Sequence, residues 1–261
     1  MWTAVKCAYL GWRFHGSQTQ PGEETVERAL SESLSHLGYQ ERVRLASRTD
    51  RGVSALGNVF VIPTEERRFR AINARLTDVV CHSYAPVPEG FRPRHASRRW
   101  YRYVMPAGRI EDPGAFARAI RMFAGEHDFS GFTRERERDA HLRIDSIEVS
   151  ERAGSIVVDV RAERFLMHMI RFIMAGALRA SSSGDMGEIE DCLRSGRRPF
   201  NLAPEDPHGL ILMDVEYGGV EFARVKLGSR SIKNWVHRSQ IRALSECEVF
   251  EALDVMLKGS I

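Results

Sequence analysis

An arginine in the middle of an apolar run makes a chemical demand. Arg171 lies inside FLMHMIRFIMAGAL, among Leu166, Met169, Ile170 and Ile173, so a helix there buries most of its surface and strips water from the guanidinium. A buried charge left unpaired costs several kcal/mol, so a carboxylate must come from elsewhere in the fold. Helical spacing sets Arg164, His168, Arg171 and Ala175 on one face that can floor a cleft. A structural ion pair or a snorkelling arginine fits the same pattern.

The candidate partner is Asp50 in RLASRTDRGVSALGNVF, between Arg48 and Arg51 on a polar loop that Gly52 allows to turn sharply. Opposite charges nearby favour a carboxylate, which suits a nucleophile or an electrostatic stabiliser and not a general acid. An Asx-turn aspartate in a plain hairpin reads the same way. A third stretch, FRPRHASRRWYRYVM, interleaves Arg92, Arg94, Arg98 and Arg99 with aromatic residues. Strand alternation puts Arg99, Tyr101 and Tyr103 on one face and Trp100, Arg102 and Val104 on the other. Cations for phosphates and a ring for a base are what an unstacked nucleotide needs, although aromatic packing in a core uses the same letters.

The elements that must hold these residues read as two mixed segments. Val5, Cys7 and Tyr9 alternate as a strand, and Thr25 caps a helix whose face is Val26, Leu30, Leu34 and Leu37, stopped at Gly38. A strand begins with Val43 and Leu45, and others cover Leu56 to Ile62, Val79 to Ser83 and Ser97 to Met105, with a short helix near Ile72 to Leu76. Pro106 to Pro113 marks a boundary, with Asp112 as N-cap and Pro113 at the first helical position. Beyond it Phe116, Ile120 and Phe123 share a helical face, and strands Leu142 to Glu151 and Ser155 to Ala162 flank an Ala153-Gly154 turn. A long helix covers Phe165 to Arg179, a shorter one follows Asp185, and Leu210 to Tyr217 is a strand. The fold class is α+β: two similar halves, residues 1–105 and 106–217, form a mainly antiparallel sheet with helices on one face and a central active-site cleft. A helical extension follows over residues 218–261.

With 261 residues and 43% hydrophobic content the chain can bury a core, which excludes disordered and fibrous classes. His168, Arg171 and Arg179 interrupt the strongest apolar stretch and reject a spanning helix there. The N-terminal residues lack a signal-peptide pattern, and Cys7, Cys81, Cys192 and Cys247 form no CxxC pair, so reduced thiols in the cytoplasm and no metal site are expected. Of 38 basic residues only four are lysines, and arginine is the cation that forks onto phosphate and stacks on bases. Net charge is +6 over residues 1–105, −5 over 106–217 and +2 over the remainder, a polarity that favours a polyanion held mainly by one side.

Taken in order, YLGWRFHGSQTQP, TVERAL, SRTDRGVSALG, NARL, FRPRHASRRWYRY, GEHDFSGF, RFLMHMIRFIMAG and APEDPHGLILMDVEY resemble the TruA-type tRNA pseudouridine synthases over about residues 3–217. The resemblance implies an isomerase that converts uridine to pseudouridine in the tRNA anticodon arm, at nucleotides 38 to 40. It implies no metal, nucleotide or redox cofactor, tRNA as partner, and a homodimer. By position, Asp50 matches the catalytic aspartate, Arg48 the arginine before it, Tyr101 the tyrosine that stacks on the target base and Arg171 the arginine that pairs with the aspartate. Leu210 matches an apolar wall of the same pocket. Ser47 and Ser54 stand where the common loop has Gly and His, as in archaeal and eukaryotic relatives. Arg51, Arg92, Arg94, Arg98, Arg99 and His168 complete the expected substrate contacts, with Arg67, Arg68 and Arg70 as further candidates for the RNA backbone. Attack at C1′, addition to C6 and removal of the 2′ proton are all open to such a carboxylate. A catalytically silent RNA-binding protein would keep the arginines and aromatics but has no use for Asp50 beside a buried Arg171. A retaining glycosidase needs a second carboxylate that the loop lacks.

Overall fold

Nine strands form one sheet in the order β5-β6-β7-β4-β8-β2-β1-β3-β9 in a computed structural model that describes residues 1–135, 139–198, 202–226 and 230–258. The strands are β1 (Trp2–Tyr9), β2 (Ser54–Pro63), β3 (Val79–Val87), β4 (Arg98–Pro106), β5 (Gly125–Asp128), β6 (His141–Arg152), β7 (Ser155–Ala162), β8 (Leu210–Glu216) and β9 (Ala223–Arg224). The helices are α1 (Val26–Ser35), α2 (Phe69–Arg75), α3 (Pro113–Arg121), α4 (Met169–Ser183), α5 (Gly187–Ser195) and α6 (Arg230–Lys258). Every strand pairing is antiparallel except β2 with β8, where Ser54 faces Ile211 and Ala55 faces Leu212. That parallel seam joins two antiparallel groups. β4, which closes the first sequence segment, stands in the second group between β7 and β8.

The local reasons are those of the sequence. The Thr25 side chain accepts from Arg28 N–H, and the Asp112 side chain from Ala115 N–H with Pro113 behind it. Ala153 and Gly154 both take positive φ, 47° and 73°, as a two-residue hairpin turn requires. Leu30, Leu34, Phe116, Ile120 and Phe123 are all buried, each worth roughly 1.5–3 kcal/mol of burial. Gly176 on α4 lets the Phe132 and Phe123 rings approach to within 3.2 and 3.5 Å of where a Cβ would stand.

Two expectations are corrected. Val43 and Leu45 lie buried in extended chain, but no ladder forms there. Apart from Ala46 N–H to Val59 O, the partners are side chains: Leu45 N–H donates to Glu27 Oε1 and Ser47 N–H to Asn58 Oδ1. The long helix begins at Met169, four residues later than predicted. Its expected first turn pairs elsewhere, because the Met167 carbonyl accepts from Arg134 N–H and Thr133 Oγ1. His168 then takes a left-handed conformation, φ 61° and ψ 6°, a strain of roughly 1–2 kcal/mol. Among the described residues no helix is long and apolar enough to cross a membrane.

Candidate active site

The aspartate loop sits where β2 and β8 begin, at one end of the parallel seam, and is clamped from three sides. Asn58, fully buried on β2, accepts from Ser47 N–H at 3.1 Å and donates Nδ2 to Ser47 O and to Tyr9 Oη, both at 2.9 Å. Ser17 accepts from Thr49 N–H through Oγ at 2.8 Å and returns its own N–H to Thr49 O at 2.9 Å. Beyond Asp50 the turn closes through Val53 N–H to Asp50 O at 3.1 Å, with Gly52 at φ 89°. Gly11 passes so close that a Cβ there would lie 2.3 Å from the Val53 carbonyl carbon, so only glycine fits.

Arg99 provides the third clamp. Its guanidinium donates to Ser47 Oγ at 2.9 Å, Arg94 O at 2.8 Å, Ala46 O at 3.3 Å and Glu163 O. It is buried and spends four of its five N–H groups on these oxygens, so it acts through the loop and not as an exposed phosphate contact. Neighbouring Tyr101 is buried, its hydroxyl beside Ser47 and its ring edge-on to Phe165 with centroids 5.2 Å apart. Burial pushes its phenol up to about 12, so the hydroxyl keeps its proton at neutral pH.

Arg171, in the first turn of α4, spans back 121 positions to place Nη1 3.1 Å from Asp50 Oδ2. Its Nε donates to Glu205 O at 2.6 Å, and Glu205 N–H donates to Arg171 O at 3.1 Å, which fixes the guanidinium from behind. His168 Nε2 lies 3.2 Å from the same Oδ2. Burial lowers the imidazole from its usual range, the charges of Arg171 and Arg134 lower it further, and Asp50 opposes them.

Asp50 stands on the wall between two cavities. One, of about 320 Å³, is lined by Tyr101, Phe165, Met167, Ile170, Leu210 and the aspartate loop, with Arg48 and Arg94 also on its walls. The other, of about 1040 Å³, is wider and more polar, and carries Arg48, Arg51, Arg134, Arg171 and Arg198. An apolar slot for a base opening beside a cationic groove for its strand is what the arrangement can hold.

Asp50, Tyr101, Arg171, His168 and Leu210 therefore converge as the sequence predicts. Arg48, matched by the resemblance to the arginine before the catalytic aspartate, is exposed between the cavities and makes no ion pair with Asp50 among the described residues, so Arg171 and His168 steady the carboxylate. Arg92 is exposed and lines neither cavity. Arg98 points to the opposite sheet face from Tyr101, 3.4 Å from Asp145 and 3.8 Å from Glu216. Arg164, expected on the helix face with His168, precedes the helix and pairs with Asp139 at 2.6 Å. Arg68 bonds Leu37 O and Tyr39 Oη, Arg70 is exposed, and the side chain of Arg67 lies outside the described residues.

Sequence reasoning missed the clamps. Asn58 is a polar residue inside the apolar strand LGNVFVIP, and such a residue must find partners; that signal was available. Glu27, buried on α1, accepts from Leu45 N–H and Thr19 N–H, and its position beside Val26 gave no comparable sign.

Comparisons with known proteins show which family the chain is similar to. The family described as tRNA pseudouridine synthase matches residues 119–218. The chain is 38% identical over 230 residues to tRNA pseudouridine synthase A of Pyrococcus furiosus, covering 85% of this chain and 86% of that protein. Against the namesake of Methanothermobacter thermautotrophicus it is 40% identical, covering 82% of this chain and 81% of that one. Against that of Archaeoglobus fulgidus it is 33% identical, covering 99% of this chain and 98% of the relative. The chain belongs to the tRNA pseudouridine synthase family and is, with it, an isomerase acting on tRNA.

Proposed function

We infer that the chain isomerises uridine to pseudouridine in the anticodon stem-loop of tRNA, at nucleotides 38 to 40, with Asp50 as the nucleophile. The observation that carries this is the Arg171–Asp50 pair at the edge of the slot walled by Tyr101 and Leu210. The reaction breaks the bond from C1′ to N1, turns the uracil and joins C1′ to C5; the C5 proton leaves and N1 gains one, so no cofactor is needed for balance. Asp50 opens the reaction, and Arg171 orients it. Tyr101, protonated as it is, serves as a ring wall against which the freed base is held, a role that suits it better than general base.

The target base must leave its stack at a cost of a few kcal/mol. Arg48, Arg51 and Arg94 at the cavity walls are the groups we assign to the flanking phosphates, offsetting that cost. Two copies of the chain sharing one tRNA, in the cytoplasm, complete the reading; a monomer by sizing at working concentration removes the shared-cleft part of it.

The experiment is to incubate the purified protein with unmodified tRNA transcripts and map each new pseudouridine by position. Products at 38 to 40 are expected, and products confined to another arm overturn the site assignment. Asp50→Asn is expected to lower turnover by at least about 10³-fold while tRNA still binds. Substantial turnover by that pure variant refutes the nucleophile.

A further inference from the structure

Two donors converge on one oxygen of Asp50. Arg171 Nη1 and His168 Nε2 stand 3.1 and 3.2 Å from Oδ2, while among the described residues no hydrogen-bond donor is found at Oδ1. Oδ1 therefore keeps its lone pairs free on a side chain 31% exposed between the two cavities. His168 can meet a carboxylate oxygen only as a donor, so its proton sits on Nε2 and Nδ1 carries a lone pair. That Nδ1 is buried without a hydrogen-bond partner. The ring is delivered by a left-handed backbone at φ 61°, and strain of this kind beside a reacting group points to use. Arg171 is anchored independently through Glu205, so the carboxylate cannot swing about its own axis without losing donors held by two separate supports.

We propose that His168 is a positioning residue for the isomerisation, donating Nε2–H to Oδ2 so that Oδ1 is the oxygen presented to the uridine. This rests on Asp50 being the nucleophile. The charged groups facing the imidazole are Asp50, Arg171 and Arg134, and Glu135 lines the same cavities. A proton can enter the neutral ring only at Nδ1. The resulting imidazolium adds a third positive charge beside Arg171 and Arg134 and weakens the attacking oxygen, so the rate falls on the acid side.

The test measures single-turnover rate and tRNA affinity of the full chain against pH for the wild type, His168→Phe and His168→Gln. His168→Phe is expected to slow the reaction about 10²-fold with tRNA affinity changed by less than about twofold. His168→Gln, whose amide nitrogen replaces Nε2–H, recovers to within about tenfold of wild type and lacks the wild-type decline, which lies on the acid side of the usual imidazole value of about 6.5. A full-rate phenylalanine variant, a glutamine variant no better than phenylalanine, or a glutamine variant that keeps the acid decline overturns the proposal. If His168→Phe does not fold, the two pH profiles decide alone. Asp50→Asn is measured beside them: turnover by it removes the nucleophile itself, whereas a silent Asp50→Asn with full-rate His168→Phe removes only the role of His168.

Discussion

An arginine meets a carboxylate on each side of the sheet at β4, and the two arrangements are built to opposite ends. On the reverse face Arg102 meets Asp159 with two bonds of 2.9 Å, Trp100 Nε1 adds a third at 2.6 Å, and the Asp159 side chain is 8% exposed. Both oxygens are filled. Arg161 stacks on Trp100 at 4.7 Å from the ring centroid and pairs with Glu148, closing the network on itself. On the site side Arg171 touches one oxygen of Asp50 at 3.1 Å and leaves the other open to a cavity. A saturated carboxylate stabilises the fold; a half-saturated one can react.

This contrast can be broken by exchanging the demands on each pair. Arg171→Lys removes the fork that holds Asp50 and Glu205 O at once, so kcat is expected to fall about 10²-fold with the protein still folded; a single-turnover assay with a thermal melt checks it. Asp159→Asn is expected to leave the rate of folded enzyme unchanged and to lower stability by about 2 kcal/mol, read as a melting temperature about 4–8 °C lower. A loss of rate there without loss of stability would erase the distinction between the faces.

The same pair has a pH signature. Burial alone would raise the Asp159 carboxyl, but the hydrogen bonds from Arg102 and Trp100 outweigh it and hold the group below its usual value. Its stabilisation is therefore complete above the unfolded value of about 3.9 and is lost as pH falls from there through the folded value. Acid titration of the melting temperature should show that loss in the wild type and not in Asp159→Asn. The smallest effects separate the two arginines flanking the strand start. Arg94→Ala is expected to weaken tRNA binding by about 3–10-fold and reduce the salt dependence by about one unit of slope. Arg98→Ala, on the reverse face with Asp145 and Glu216, should shift binding by less than about twofold.

Much of this was readable from residue order because the physics was local or the demand was severe. Asp112 with Pro113, the Ala153-Gly154 turn and the alternation of β4 are short-range signals, and Arg171 in an apolar run has few alternatives to a distant carboxylate. What escaped depends on contacts between segments. Phe165 to His168 carry a helical pattern, yet Arg134 and Thr133 take the Met167 carbonyl and the helix starts late. Val43 to Leu45 carry a strand pattern, yet the side chains of Glu27 at Leu45 and of Asn58 at the following Ser47 supply partners that a neighbouring strand would have given. Arg98 and Arg99 are adjacent letters with opposite destinations, one outward on the reverse face and one locking the loop.

The position of β8 has a consequence for how the protein is made. It follows β2 and β4 in the chain, from residue 210, yet it is wedged between them in mid-sheet and supplies Leu210 to the slot. Until that strand has been made and seated, β2 and β4 have open inner edges and the slot lacks its Leu210 wall. A chain cut before residue 210 therefore keeps the aspartate but lacks the strand that walls the slot beside it.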